Sequence, residues 1–488
     1  MRRSAVVGPI VLALLAPAAR ADDTAAERQL RIAQRLAADR SPDAAAAFQQ
    51  VVTLAPRGRL ADDALAGLAR FNGAPDWPEE LGRLDPRTAA AATTPLERIL
   101  AEYPGGDHAA EARYRLALIR SAPLPGRDAA RARKELIDAA NGPRDTWTAR
   151  ARYALGVLDE RTGESERAAG EYARVLVDQP ESDAAARARA GFGRTRLAKG
   201  RFGEAAAWFQ AAVEAGVPGE VRAEASRELA LAALVRERAP ALKWSALTTI
   251  PASATARGAA LIAASPDGAM ATYDRKTGTI QITDASGASL PARPVEDVSA
   301  IAFDPYGRLF VATKDKLLRA DGPNPAPVGT LGAFAAPTGM AVDASGGVWL
   351  IDRRGDRVGR WMPGATEPSV VREEKGSGAT ALVAAGGGVV VAEGKSGRLV
   401  AIGGSGSVVP LGSAVFRRPA ALSVDAAGRI AVLDEKEETL TRLSASGEVL
   451  EVLALPAVGV SHPVALAAAP DGGVRILDGS SGSIAVAP

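Results

Sequence analysis

Ala341-Val342-Asp343-Ala344-Ser345-Gly346-Gly347-Val348-Trp349-Leu350-Ile351-Asp352 and Leu422-Ser423-Val424-Asp425-Ala426-Ala427-Gly428-Arg429-Ile430-Ala431-Val432-Leu433-Asp434 are two versions of one pattern. In each, an apolar run leads to an Asp three residues ahead of a turn glycine, and a second apolar run ends in another Asp six residues after it. Runs of this length on either side of a glycine turn read as paired β-strands. Taking that glycine as a marker, Gly268, Gly307, Gly346, Gly388, Gly428 and Gly472 follow one another at spacings of 39, 39, 42, 40 and 44 residues. A short β-unit repeated six times at nearly constant length predicts a six-bladed β-propeller over 258–488. The uncharged stretch Gly376 to Ala392, broken by Gly386-Gly387-Gly388, reads as two buried strands and a turn, not as a membrane helix.

Each unit carries three strands, and most have a fourth such as Val449-Leu450-Glu451-Val452-Leu453-Ala454, but the last reaches Pro488 after three. The β-prone segment Trp244-Ser245-Ala246-Leu247-Thr248-Thr249-Ile250 precedes the first unit and is expected to pair with the last blade, closing the ring. It falls in a connecting stretch, 239–257.

Ahead of it, 22–238 has a different grammar, rich in Ala, Leu, Arg and Glu with apolar residues three and four apart and breaks at Pro and Gly. This predicts a chain of amphipathic helices. Leu155-Gly156, Gly163, Ala168, Tyr172 and Pro180 recur 37 residues later as Phe192-Gly193, Gly200, Ala205, Phe209 and Val217. Small residues at Gly156 and Ala168 let helices approach, Tyr172 fills the gap between hairpins, and Pro180 ends a helix. Partial units are visible at Ala44, Phe48 and Pro56, at Leu96 to Pro104 and from Ala110 to Leu118, and the register is lost between Phe71 and Pro86. The pattern resembles the tetratricopeptide repeat, which implies an α-solenoid whose concave groove takes a peptide or helix from a partner. A single hairpin leaves its apolar face open, so several units must stack.

The propeller half resembles the NHL-repeat type, most clearly from Asp343 to Trp361 with Arg357, Val358 and Trp361 in the family's places. The Asn-His-Leu tripeptide that names that family occurs in no unit. The fold class expected from the two halves together is multidomain, α-solenoid followed by all-β propeller.

With 59 basic against 57 acidic residues, and no basic stretch interleaved with aromatics, nucleic acid is not an expected partner. Met1-Arg2-Arg3, the apolar run Ala5 to Ala16 and Ala19-Arg20-Ala21 have the order of a signal peptide, 1–21, cleaved after Ala21, which predicts a periplasmic or secreted protein. The apolar run stops at Pro17, short of the roughly 20 residues a membrane span needs, so no span is expected in the mature chain. The absence of cysteine removes disulfides, thiolate metal sites, cysteine nucleophiles and lipidation at an N-terminal cysteine.

Only two histidines occur, His108 in the helical half and His462 before Pro463 in the propeller, too few for a two-histidine metal site in either part. His462 is expected to serve its loop. No nucleophile elbow, Walker loop, dinucleotide fingerprint or HExxH is present. The repeated carboxylates, Asp304, Asp343 and Asp425 before the marker glycine and Asp274, Asp352, Asp434 and Asp478 after it, sit where a short carboxylate accepts turn amides, and that role accounts for their repetition. Arg354-Gly355-Asp356 spells an adhesion tripeptide on a repeat turn, and Trp349 and Trp361 are expected in the core. The expectation is a non-enzymatic protein-protein interaction scaffold without catalytic residues, metal or cofactor, using the helical groove and a propeller face as its two surfaces. The alternatives are a metal-carboxylate hydrolase of the lactonase type, with aspartates gathered on oxygen-loving Ca²⁺, and a carbohydrate- or peptidoglycan-binding propeller, which aromatic residues at 4% of the chain support poorly.

Overall fold

The computed structural model describes residues 16–215, 219–238, 248–250, 259–284, 286–468, 473–481 and 483–487. These form two compact units, one reaching to Ala122 and resuming over Asp128–Ala151, the other made of Pro123–Arg127 and the chain from Arg152 onward. The predicted leader lies mostly outside the described residues, as do Trp244 to Leu247, Val217 and the marker Gly472.

In the first unit the helices are α1 (Ala16–Ala38), α2 (Ala44–Leu54), α3 (Arg59–Phe71), α4 (Pro86–Glu102), α5 (Ala109–Ser121) and α6 (Ala129–Ala140), and α7 (Thr146–Arg161) begins there. The second unit continues with α8 (Ser165–Asp178), α9 (Asp183–Ala198), α10 (Phe202–Glu214) and α11 (Gly219–Arg238). From α1 to α6, and again from α8 to α11, each helix packs on the next; α1 also meets α3, and α9 meets α11, the layering of stacked hairpins. Local chemistry sets the ends. Asp85 caps α4 by accepting the amides of Arg87 (2.8 Å) and Thr88 (3.0 Å), with Pro86 at the first helical position. The 37-residue repeat returns in Gly163 and Gly200, both left-handed (φ +82° and +70°) just past a helix end. Where the repeat loses register, a 3₁₀ turn, Pro78–Arg83, intervenes.

Aromatic rings seated on glycines hold successive helices together. A Cβ on Gly193 would stand 2.6 Å from the Phe209 ring, and one on Gly156 would overlap Tyr172, so the equivalent pairs of the repeat pack alike. The same Tyr172 ring also lies against Gly191 of the following unit, 2.5 Å from where a Cβ would be, and Phe48 lies against Gly67 in the same way. Such helices approach closely only because these positions carry no side chain.

The propeller has six four-stranded antiparallel blades. The first comprises Ala259–Ala264, Met270–Asp274, Thr279–Thr283 and Arg293–Pro294, and the second Ala300–Phe303, Leu309–Ala312, Lys316–Arg319 and Ala326–Thr330. Gly339–Val342, Val348–Ile351, Arg357–Trp361 and Ser369–Glu373 make the third; Ala379–Ala385, Gly388–Glu393, Arg398–Gly403 and Val408–Pro410 the fourth. The fifth comprises Pro419–Val424, Ile430–Asp434, Thr439–Leu443 and Val449–Ala454. Pro463–Ala468, Val474–Asp478 and Ile484–Ala487 make the sixth, completed by Thr248–Ile250 with Thr248 opposite Val486 and Ile250 opposite Ile484. First strands of neighbouring blades meet all the way round.

Strand alternation fills the spaces between blades. On the strand Val348–Ile351, Val348 and Leu350 face the second blade, whereas Trp349 and Ile351 pack with Leu382, Val389 and Val391 of the fourth. Trp361 packs on the second-blade side, so both tryptophans are core residues. One marker glycine needs correction. Gly388 is the first residue of a strand, and the turn of the fourth blade is Gly386-Gly387, both left-handed (φ +52° and +67°), closing a two-residue hairpin between Ala385 and Gly388. The other blades with described turns use the longer Asp-x-x-Gly form or a close variant, so one marker applied to all six misses the register there.

Candidate functional site

Antiparallel blades put their first-to-second-strand turns on one propeller face and their second-to-third-strand loops, with the connections between blades, on the other. On the turn face the repeated Asp builds the turn. Asp304 Oδ1 accepts the amides of Tyr306 (3.0 Å) and Arg308 (2.8 Å), Asp343 Oδ1 those of Ser345 (2.8 Å) and Gly347 (3.0 Å), and Asp425 Oδ1 those of Ala427 and Arg429 (both 2.9 Å). The second oxygen accepts from a side chain: Arg308 Nε and Arg429 Nε at 2.6 Å each, and Trp349 Nε1 at 2.7 Å in the third blade, where the Arg360 guanidinium joins it.

Within the second unit, helix ends and the loops between helices rest on these turns in four consecutive blades. The Arg161 guanidinium lies 5.0 Å from the centre of the Tyr306 ring in the second blade. Pro123 covers Gly346 of the third, where a Cβ would come within 2.5 Å of the proline, and Pro125 covers Gly364. In the fourth blade Gly387 lies under the Thr162 carbonyl, 2.7 Å from where a Cβ would be, and Gly163 abuts Gly386. Ala427 of the fifth blade is buried in a cluster with Leu197, Ala205, Phe209 and Leu231. Small or left-handed turn residues therefore do two jobs here: they close the hairpins and let another backbone approach.

On the opposite face the carboxylates tie loops together. Asp434 accepts the amides of Arg417 (2.6 Å) and Arg418 (3.2 Å) from the connection between the fourth and fifth blades, and those of Lys436 and Glu437 (both 3.1 Å) from its own loop. Asp478 does the same with Ser461 (3.0 Å), His462 (2.9 Å), Ser480 and Ser481 (both 3.0 Å), and against the opposing effect of burial the Ser480 hydroxyl (2.6 Å) and these amides hold its carboxyl below the ordinary range. Asp352 accepts the amides of Asp356 and Arg357, and Asp274 that of Lys276. Replacing Asp434 with Ala strands several amides at once and is expected to lower stability by about 1–3 kcal/mol. The readout is the thermal midpoint, together with faster hydrogen exchange confined to 416–418 and 435–437; slow exchange there in the variant counts against the tie.

Asp434 anchors one wall of a recess of about 700 Å³ between the fourth and fifth blades. It is lined by Gly378, Gly394 and Thr380 and by the charged ends of Lys395, Arg417, Arg418, Lys436 and Glu435. Arg418 Nε is 3.2 Å from Glu435 and Arg417 Nε 2.9 Å from Glu437, both pairs well exposed. Sequence reasoning did not find this group, because its cations come from three separate connections and no single stretch is basic.

His108 is not a solitary side chain. Within the first unit its Nδ1 lies 2.8 Å from Glu111 and its Nε2 3.0 Å from Asp63, and Glu111 also accepts from Arg70 Nε and Arg115 Nε, both at 2.7 Å. Arg115, itself buried, donates to the carbonyls of Ala74 and Pro75, both at 2.9 Å. Arg150 stacks at 4.5 Å from the Trp77 ring centre and 4.9 Å from that of Trp147. The bond to Glu111 raises the His108 pKa, and its cationic neighbours hold Glu111 well below the usual carboxylate range despite its burial. The cluster joins α3, α5 and the turn between α3 and α4.

The remaining sequence candidates are plainly placed. His462 uses its amide for Asp478 and exposes its ring, with Nδ1 3.4 Å from Ser461 Oγ. In Arg354-Gly355-Asp356, Asp356 accepts the Gly376 amide at 2.6 Å and the Gly355 carbonyl accepts from Ser377, so the tripeptide is bound into its own face. Among the described residues no three His, Asp or Glu side chains converge as metal ligands do, and no helix is long and apolar enough to cross a membrane.

The class defined by these features is a helical-repeat array continued by a six-bladed β-propeller. No protein-family model matches the sequence, and no curated protein matches it. Among solved structures the chain is similar to a streptogramin B lyase, with 14% identity and a TM-score of 0.40 over 49% of this chain and 96% of that one. It is similar to the virginiamycin B lyase of Staphylococcus aureus, with 17% identity and a TM-score of 0.38 over 48% and 81%. It is also similar to the β-propeller domain of Cps50 (Swd1) from Myceliophteria thermophila, with 11% identity and a TM-score of 0.37 over 49% and 98%.

Proposed function

We propose that this chain is an exported, non-enzymatic scaffold, in which a tetratricopeptide-like array (22–238) and an NHL-like propeller (258–488) each offer a surface to protein or peptide partners, after removal of a leader at 1–21 and export to the periplasm or beyond. The observation that carries the reading is the packing of helix ends and inter-helix loops on the turns of four consecutive blades. That joint commits the turn face of four blades to the chain's own helical array and leaves the loop face for other molecules. The aspartates also support it, since their oxygens are engaged by turn and loop amides and by neighbouring side chains.

Affinity capture from cross-linked cells of the native host, with the full mature chain as bait, tests this. A protein partner enriched by the wild-type chain and cross-linked to the array or to the loop face is the expected result. Stoichiometric metal in the purified protein together with lactone hydrolysis, or no enriched protein at all, overturns it.

A further inference from the structure

We propose that the recess between the fourth and fifth blades is a receptor for an acidic peptide segment of a protein partner; the proposal rests on the scaffold reading and names what that face recognises. Four cations, Lys395, Arg417, Arg418 and Lys436, line one recess with a single carboxylate, Glu435. They converge from the second-to-third-strand loops of the fourth and fifth blades and from the connection between those blades.

Their pairing state favours exchange. The two arginines meet Glu437 and Glu435 in solvent-exposed pairs, which are worth little in water, so a partner's carboxylate replaces either at small cost. Lys395 and Lys436 have no ion pair among the described residues. The backbone points away from a phosphate site. Phosphate nests are built from free N–H groups, but the amides of Arg417, Arg418, Lys436 and Glu437 all donate to Asp434. What the recess offers is long, exposed cationic side chains above loops tied to Asp434, and Arg-rich clusters of this kind take acidic motifs.

The test is fluorescence anisotropy with the full mature chain and fluorescein-labelled hexaglutamate, with labelled hexaglutamine as the uncharged counterpart. Hexaglutamate binds, hexaglutamine does not, and affinity falls steeply between low and physiological salt. In Lys395→Glu/Lys436→Glu, affinity drops on the order of a hundredfold, about tenfold per reversed charge. Lys395→Gln/Lys436→Gln gives an intermediate loss, and Arg275→Glu/Lys276→Glu, exposed on the first blade of the same face, changes it less than about twofold. Circular dichroism of each variant matches the wild type. Equal binding of hexaglutamine, an unchanged affinity in Lys395→Glu/Lys436→Glu, or an equal loss in the first-blade variant overturns the proposal. If the cross-linked capture still yields a partner after such a result, the recess assignment alone has failed and the scaffold reading stands.

Discussion

Glu111→Ala is expected to destabilise the first unit by about 3 kcal/mol, the low end for a broken buried ion pair, since of the cations that meet there only Arg115 is fully buried. Glu111 and Arg115 are almost fully buried, and Glu111 is where Arg70, His108 and Arg115 meet. Arg115 keeps Asp76 and the carbonyls of Ala74 and Pro75, and His108 keeps Asp63, but Arg70 and His108 lose their nearest carboxylate. The pH dependence has a definite sign. His108 has a raised pKa, so its contribution is complete below about 6.5, the unperturbed value, and is lost as pH rises through the higher folded value. Glu111 has a lowered pKa, so its contribution is present above about 4.5 and is lost only in strong acid. The wild-type cluster therefore contributes most between those two values and declines on the alkaline side, and Glu111→Ala flattens that decline. Calorimetry from about pH 4.5 to well above 6.5, through the raised His108 pKa, decides the matter; an unchanged midpoint, or a wild-type slope in the variant, counts against the cluster as a stabilising element.

Tyr172→Ala is the second large effect, expected at about 3–5 kcal/mol by analogy with other fully buried aromatic-to-alanine changes. The ring occupies space that Gly156 and Gly191 leave on helices of two adjoining repeats, and it lies 5.8 Å from Tyr153 between ring centres. Removing it opens a cavity where helices α7, α8 and α9 meet. Tyr172→Phe separates packing from hydrogen bonding, because only the bond from the hydroxyl to Glu160 (2.7 Å) disappears and Phe209 fills the corresponding place in the next repeat without one. That variant should cost about 1 kcal/mol or slightly more. Equal losses for the two variants in chemical denaturation place the importance of Tyr172 in its hydroxyl, not its ring.

The blades were legible because an Asp-x-x-Gly turn recurs with strands on either side, and the fourth blade was misregistered because its turn is made by two left-handed glycines without an Asp. The aromatic and small residues of the repeat were legible at a shift of 37 residues. Gly67 and Gly191 were not, since each receives a ring from the preceding repeat and in sequence is only a glycine inside a helix. His108 read as isolated because two of its partners, Asp63 and Arg70, lie on another helix. The recess has the same origin: Lys395, Arg417, Arg418 and Lys436 are scattered along the chain, and the ring geometry gathers them. Turn residues signalled hairpins, but nothing in the sequence told that Gly346 and Gly387 also receive Pro123 and Thr162.

The seam between Thr248–Ile250 and Ile484–Ala487 makes closure of the ring wait until the third strand of the sixth blade has been made. A strand made before the first blade waits, unpaired on that side, while five blades and most of a sixth emerge from the ribosome. Closing so long a loop carries an entropic penalty that only the finished blade offsets. A ribosome stalled a few codons before Ile484 would release an open crescent with a bare strand edge, the form most exposed to proteases and to pairing with other chains.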